Sequence, residues 1–178
     1  MITIHFISRI AEDKNCFIPL VQKVKQLQEK GIFLKLVFVG GIQSKTLYSK
    51  IILEIKKLTL EPYVSLTEKS IPLAEYSIDK LDDFYLHYSV GSFFGYSTME
   101  CISLGLKTLL FNVDENYQNE ILPFNFCISE TDLLKKMELL ATEKEEYSTI
   151  VAECVLQLKK NNFLSEDEKQ YIITQTLS

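Results

Sequence analysis

Short apolar runs alternate with longer amphipathic segments through most of this chain of 178 residues. The runs are rich in β-branched and aromatic residues, as expected of strands. The segments between them repeat apolar residues at steps of three and four, as expected of helices. Strands are predicted at 2–7, 33–39, 63–66, 84–88 and 108–113, and helices at 16–30 and 45–58. This alternation favours an α/β domain with a Rossmann-like, doubly wound parallel sheet.

The pattern turns helical after the fifth predicted strand. Capping-box-like sequences at Ser129 and Ser165 predict the starts of two helices, the second of which runs to about Thr176. Another helix is predicted at 144–160, and a short one at 78–83. We find no internal repeat or linker, so the sequence predicts a single domain over 1–178.

Charge, apolar content and cysteine usage exclude several classes of protein. The net charge of −5 disfavours a nucleic-acid-binding protein. No apolar run approaches the length of about 20 residues that a membrane span needs, and no signal peptide is expected. The cysteines are too widely spaced for a zinc site, and we expect reduced, buried thiols in a cytoplasmic protein: Cys16, Cys101, Cys127 and Cys154.

The stretch from Ser89 to Gly105 carries the clearest chemical signal. It follows a predicted strand, contains glycines at 91 and 95, and opens a helix at about Thr98. The start of such a helix presents unpaired backbone N–H groups and the positive end of the helix dipole, which favours binding of a phosphate. Glu100 is predicted in the first turn of this helix, where its carboxylate could reach a ligand hydroxyl.

Arg9 and Lys14 follow the first predicted strand. Ligands of open parallel sheets bind beyond the carboxyl ends of the strands, which here places the loops 8–15 and 89–97 at one edge. A guanidinium, an ammonium group and a helix start at this edge fit a diphosphate.

Both regions resemble a known family. The stretch after Ser89 is similar to the donor-binding signature of the retaining GT-B glycosyltransferases of family 4, E-x-F-G-x-x-x-x-E followed by a small-residue helix that ends in Gly. The positions that match are Ser89, Phe94, Gly95, Glu100 and Gly105, while Ser92 stands where the family has its first glutamate.

The loop after the first strand resembles the G-R-x4-K-G loop of the same family. Arg9 and Lys14 have its spacing, and the segment 38–41 loosely matches a V-G-x-G element that includes Gly40. The resemblance covers about residues 2–142. It implies the C-terminal, donor-binding half of a GT-B fold, without the N-terminal half that binds the acceptor.

The resemblance also implies a role for each matching residue. Arg9 and Lys14 are expected to bind the donor diphosphate and neutralise the leaving group, and Glu100 to accept hydrogen bonds from the ribose. In the family the first glutamate contacts the transferred sugar, the contact that falls here to Ser92. The phosphate oxygens and the nucleotide base are assigned to the remaining positions: Gly40, Thr67, Gly95, Tyr96, Ser97 and Thr98.

The implied partners are a nucleoside-diphosphate sugar and a glycan or lipid-linked acceptor. The family needs no metal or other cofactor. A missing half-domain or partner chain is expected to complete the cleft and to provide any peripheral association with the inner face of a membrane. The implied process is synthesis of a bacterial surface polysaccharide.

Several alternatives remain open at the level of the sequence. Arg9 and Lys14 could be a solvated loop, Glu100 a carboxylate favoured only by the helix dipole, and Ser97 only an N-cap. The whole chain could be a nucleotide-sugar-binding or scaffold module in which Ser92 has removed transfer. An epimerase on the same architecture is a weaker alternative.

Other polar residues are interpreted as structural. His5 and His87 are predicted to be structural histidines within strands, and the pair 82–83 a solvated turn. Lys107 is expected to be exposed. Glu120 follows the fifth strand and is kept as a residue that could lie near the donor.

Overall fold

The structure is a computed structural model that describes residues 1–73, 75–76, 82–89, 95–112 and 122–163. The strands in these ranges are β1 (Thr3–Ile7), β2 (Lys35–Val39), β3 (Val64–Leu66), β4 (Asp83–Ser89), β5 (Thr108–Asn112) and β6 (Phe126–Cys127). The helices are α1 (Phe17–Glu29), α2 (Lys45–Lys57), α3 (Tyr96–Ser103), α4 (Glu130–Thr142) and α5 (Lys144–Asn162).

The strands form one parallel sheet in the order β3-β2-β1-β4-β5-β6. The chain builds outward from β1 to β3 and then returns to place β4 on the other side of β1. The doubly wound α/β fold predicted from the sequence is therefore confirmed. The order reverses between β1 and β4, which is where ligands of such sheets bind.

The two faces of the sheet differ in chemistry at its centre. On one face, Phe6 of β1 lies beside Phe38 of β2, and the Phe17 ring of α1 packs on both, with centroid distances of 5.4 and 5.0 Å. On the other face, His5 lies beside Tyr85 of β4. The helix α1 thus covers an aromatic core, while the opposite face carries side chains with polar groups.

Helix α3 begins earlier than predicted. Gly95 is its N-cap, with extended backbone angles, and Tyr96 is its first residue. The first turn contains no acidic residue, so Glu100 lies in the second turn and the prediction of a first-turn carboxylate was wrong.

One strand was missed and two predicted helices lie wholly or mostly outside the described residues. Strand β6 spans only two residues and is held by pairing with β5, so no period-two pattern could reveal it. The predicted helix 165–176 and most of the one at 78–83 fall outside the described ranges. The last residue of the latter, Asp83, instead begins β4.

Two predictions about exposed charges were wrong, one of them for a single residue. Asp82 does lie in a turn, with its side chain 36% exposed, but Asp83 does not: its side chain is 11% exposed and its Oδ2 lies 3.1 Å from His5 Nε2. Lys107 is 8% exposed rather than solvated. Its ammonium group lies 4.2 Å from the centroid of the Phe84 ring and donates to Ser148 Oγ at 2.8 Å. Both charges are held at the amino-terminal edge of the sheet.

The thiols are free, as predicted, but not uniformly buried. Cys16, Cys101 and Cys127 are buried, whereas Cys154 is partly exposed. None of the helices in the described ranges has the length and apolar character needed to span a bilayer.

Candidate functional site

A cavity of about 200 Å³ opens at the carboxyl edge of the sheet, where the strand order reverses. Its walls are formed by the ends of β1 and β4, the loop after β1 and the first turn of α3. Parallel strands direct their carboxyl ends and the following loops to the same edge, so residues distant in sequence meet here. This cavity is therefore where the predicted site residues of the loop after β1 and of α3 are expected to meet.

Several of the predicted residues line this cavity together. Lys14 comes from the loop after β1, and Gly95, Ser97 and Thr98 come from the start of α3. The structure therefore places an ammonium group and a helix N-terminus around one space. That is the arrangement required for binding an anion by charge and by backbone N–H groups.

The start of α3 differs from the starts of two other helices. The Ser44 side chain caps α2 and the Ser129 side chain caps α4, each accepting a hydrogen bond from a backbone N–H of the first turn. Gly95 has no side chain with which to do so, and α3, like α1 and α5, has no side-chain cap. An uncapped helix start leaves backbone donors that a ligand can satisfy.

Lys14 is held near the cavity by local structure. Its backbone N–H donates to the Ala11 carbonyl at 2.9 Å, which closes a turn in the loop. The ammonium group is 3.8 Å from Asp13 Oδ2, and the side chain is 40% exposed. This pairing is loose and solvated, so it leaves the lysine able to move to an incoming phosphate.

Arg9 points elsewhere in this structure. Its guanidinium donates to Gln43 Oε1 and Asp13 Oδ2, both at 3.1 Å, and its side chain is 53% exposed. Arg9 is not among the described residues that line the cavity. Reaching a diphosphate there would require it to exchange these exposed partners, which costs little at a solvated surface.

Gly40 and Thr67 lie at the same edge, where they support the loop after β1. The Gly40 N–H donates to Thr67 Oγ1 at 3.2 Å, and this hydroxyl in turn donates to the Lys69 carbonyl at 3.0 Å. A β-carbon at Gly40 would stand 2.1 Å from the Ser8 carbonyl oxygen. Only glycine therefore allows the end of β2 to approach the loop this closely.

Backbone hydrogen bonds fasten the loop after β1 to the loop after β2. The Ser8 N–H donates to the Val39 carbonyl, and the Ile10 N–H donates to the Gly41 carbonyl, both at 3.0 Å. The Gln43 N–H donates back to the Ile10 carbonyl at 2.9 Å. The loop that carries Lys14 is thus an extension of the sheet rather than a free segment.

The remaining predicted residues are dispersed. Tyr96 is 89% exposed at the first position of α3. Glu100 lies one turn further along and does not belong to the described lining of the cavity. Ser92 and Glu120 fall outside the described residues.

His87 is a cavity residue that the sequence analysis assigned to structure alone. It lies in β4, and its Nδ1 is 2.7 Å from Thr98 Oγ1. Burial lowers the pKa of His87 to about 4, and the nearby positive charge of Lys14 adds to this effect. The imidazole is therefore neutral at physiological pH. By contrast, His5 is buried between Tyr76 and Asp83, as expected of a structural histidine.

Three further residues that line the cavity were also missed. They are Tyr85, Cys101 and Thr108, which belong to β4, α3 and β5. Burial raises the pKa of Cys101 to about 12, with a further contribution from the Glu100 carboxylate, so the thiol is protonated and not a nucleophile. For two of the missed residues the sequence did contain a signal. Side chains alternate between the faces of a strand, so Tyr85 and His87 are expected on the same face of β4 as Ser89.

Solved structures with the same fold include several glycosyltransferases. Anabaena HepE in complex with UDP has a TM-score of 0.71 at 14% identity, over 98% of this chain and 48% of that chain. The C-terminal domain of LpcC, a glycosyl transferase group 1 family protein from Francisella tularensis, has a TM-score of 0.62 at 13% identity, over 90% of this chain and 85% of that domain. This chain has the fold of a GT-B C-terminal domain.

A third structure with this GT-B fold is the lipopolysaccharide outer core galactosyltransferase WaaB in its apo form. It has a TM-score of 0.59 at 14% identity, over 88% of this chain and 44% of that chain. The chain spans about half the length of HepE and less than half that of WaaB. No protein-family model matches the sequence, and no curated protein matches it.

Proposed function

We propose that this chain is the donor-binding domain of a glycosyltransferase that uses a nucleoside-diphosphate sugar. The observation that carries the proposal is the cavity at the switch point, where Lys14 and the uncapped start of α3 face one space. A diphosphate placed there would meet one mobile positive charge and the backbone N–H groups of Tyr96 and Ser97, which precede the first intrahelical hydrogen bond. The GT-B fold, shared with a protein solved with UDP, supports this ligand class.

In the proposed reaction, the bond between the sugar and the diphosphate breaks and negative charge develops on the departing phosphate oxygen. Lys14, the start of α3 and a reoriented Arg9 would neutralise that charge. Fixed dipoles and charges aimed at a developing anion are the largest catalytic term in many enzymes. We propose that the Glu100 carboxylate accepts hydrogen bonds from the ribose of the nucleotide, as the resemblance implies.

No metal ion is required by this proposal. We expect donor binding to be unchanged by EDTA, measured by calorimetry before and after dialysis against the chelator. A loss of affinity that added Mg²⁺ restores would contradict this part of the proposal.

The acceptor is proposed to be a glycan or a lipid-linked glycan. A likeness to a lipopolysaccharide galactosyltransferase supports this class. We assign the acceptor site to a second domain, from the same or another polypeptide, and place the reaction in the cytoplasm at the inner face of a bacterial membrane. Surface polysaccharide synthesis is the process that such an enzyme would serve.

Titration of UDP and GDP into the full chain tests donor binding. We expect Lys14→Ala to weaken binding by about 1.5–3 kcal/mol, the usual contribution of a charged hydrogen bond. Lys57→Ala is a matched control, because Lys57 is 69% exposed at the far end of α2 and pairs only loosely with Glu54. No binding by the wild-type chain at millimolar nucleotide would contradict the proposal.

A second candidate function is a binding or scaffold module without transfer activity. It is favoured by Arg9, which is engaged by Asp13 and Gln43 away from the cavity. Ser92, in place of an acidic residue, also favours it. Donor binding without any hydrolysis or transfer, even with the acceptor domain present, would support this second function.

A further inference from the structure

His87 is a polar residue of the cavity to which the proposed function gives no role. It lies two residues before the end of β4 and contributes to the cavity wall. Its Nδ1 is 2.7 Å from Thr98 Oγ1, a short hydrogen bond that joins the sheet to α3. Thr98 itself is 5% exposed, so this contact is shielded from solvent.

Building on the proposed function, we propose that His87 is a positioning residue, which holds the first turn of α3 through Thr98 so that the turn's backbone N–H groups face the diphosphate. Thr98 is the third residue of α3, and its N–H donates to the Gly95 carbonyl at 3.0 Å. Since Gly95 provides no side-chain cap, the first turn lacks the anchor that Ser44 gives to α2. The hydrogen bond to His87 supplies an anchor from the sheet instead.

The chemistry of the pair suits this role. A neutral imidazole can accept a hydrogen bond from the Thr98 hydroxyl or donate one to it, depending on its tautomer. Partial burial keeps the imidazole neutral, and the charge of Lys14 further disfavours a second cation beside it. His87 therefore orients the turn while the positive charge of the cavity stays with Lys14 and the helix end.

This role predicts a specific pattern of substitutions. An asparagine amide can reproduce either hydrogen-bonding role of Nδ1, whereas leucine cannot. Valine at position 98 keeps the shape of threonine and removes its hydroxyl. Because both single changes break the same contact, their effects are expected to overlap rather than add.

The test is calorimetric titration of UDP and GDP into the full chain and its variants. Loss of one neutral hydrogen bond predicts that His87→Leu and Thr98→Val each raise Kd about three- to tenfold. The double variant should be no weaker than the weaker single variant, and His87→Asn should stay within about twofold of wild type. Thr149→Val is a control, because Thr149 is exposed on α5 and its hydroxyl donates to the Glu145 carbonyl of the same helix.

Hydrogen exchange of the ligand-free chain gives a second readout. We expect the amides of Thr98 and Met99, which donate to the Gly95 carbonyl, to exchange faster in His87→Leu and Thr98→Val, with α5 unchanged. If His87→Leu does not fold, the Thr98→Val and His87→Asn variants carry the same test.

The failures are distinguishable. A wild-type chain that binds no nucleoside diphosphate overturns the proposed function and this inference with it. A wild-type chain that binds, with equal affinity and equal exchange in His87→Leu and Thr98→Val, overturns this inference alone. Additive losses in the double variant also overturn it, because they would show that the two residues act separately.

Discussion

Gly40 lies so close to Ser8 that a β-carbon at position 40 would stand 2.1 Å from the Ser8 carbonyl oxygen. The obstructing atom belongs to the backbone, so no side-chain rotation can relieve the clash. A larger residue would push the loop after β1 away from β2, and Lys14 is carried by that loop. The glycine therefore links the packing of two neighbouring strands to the position of a site residue.

Gly40→Ala is predicted to lower the free energy of unfolding by about 2–3 kcal/mol, since overpacking against fixed backbone is costly. Gly41→Ala is the matched control. There the new β-carbon would meet the Ser70 hydroxyl oxygen at 3.1 Å, and that side chain can rotate away. Urea denaturation measures the free energy of unfolding of both variants. Equal values would show that the backbone clash at position 40 is not costly.

Asp13→Asn is predicted to strengthen UDP binding. Asp13 holds Arg9 at 3.1 Å and lies 3.8 Å from the Lys14 ammonium group, so its charge competes with a diphosphate for both cations. Because these pairs are exposed, we expect only about a two- to fivefold decrease in Kd, which calorimetry can measure. Weaker binding in Asp13→Asn would show that Asp13 organises the two cations for the ligand.

The pH dependence of stability is predicted to change in His87→Asn. The pKa of His87 is lowered to about 4 from the ordinary value of 6.5. Between these values the unfolded chain binds a proton at this position and the native chain does not. The contribution of His87 to the free energy of unfolding is thus fully present above about pH 6.5 and is lost as the pH falls to about 4.

Wild type should therefore lose more stability than His87→Asn over this range, by on the order of 3 kcal/mol for such a shift. Urea denaturation at neutral and acidic pH gives the difference. His5, whose pKa burial also lowers, contributes to both proteins and cancels in the comparison. Parallel pH profiles for the two proteins would count against a neutral, partly buried imidazole at position 87.

Lys107→Ala is predicted to lower the free energy of unfolding by about 1–3 kcal/mol, because it removes a buried stem and its contacts with Phe84 and Ser148. Lys107→Met keeps most of the stem and should lose less. UDP affinity should change little in either variant, since Lys107 precedes β5 at the opposite edge from the phosphate site. A loss of UDP affinity with unchanged stability would show instead that Lys107 acts in ligand binding and not in stabilising the fold.

The fold could be predicted because its signals are local and repeated. Apolar strands and amphipathic helices alternate over long enough stretches for their periods to be recognised, and the order of elements then dictates a parallel sheet. Strand β6 was not predicted, because a strand of two residues is too short to show an alternating pattern of apolar and polar residues. The burial of Lys107 was not predicted, because it depends on a contact with Ser148 of α5, about forty residues later in the chain.

The site was only partly predictable for a related reason. Lys14, Gly95, Ser97 and Thr98 stand in or beside recognisable motifs, and the sheet topology brings them to one cavity. The role of His87 depends on a contact with a residue eleven positions later, which only the packing of α3 on the sheet creates. The orientation of Arg9 likewise depends on Gln43, from a neighbouring loop.

The fastening of Ser8 and Ile10 to the loop after β2 has a consequence for binding kinetics. A loop that must be ordered on association costs conformational entropy and slows capture of a ligand, whereas one already fixed does not. In this loop the backbone is already fixed, and the side chains of Lys14 and Arg9 are what a ligand must still immobilise. Capture of a phosphate by this edge should therefore approach the rate of a rigid receptor, so that differences in affinity among nucleotides arise chiefly from how slowly each one leaves.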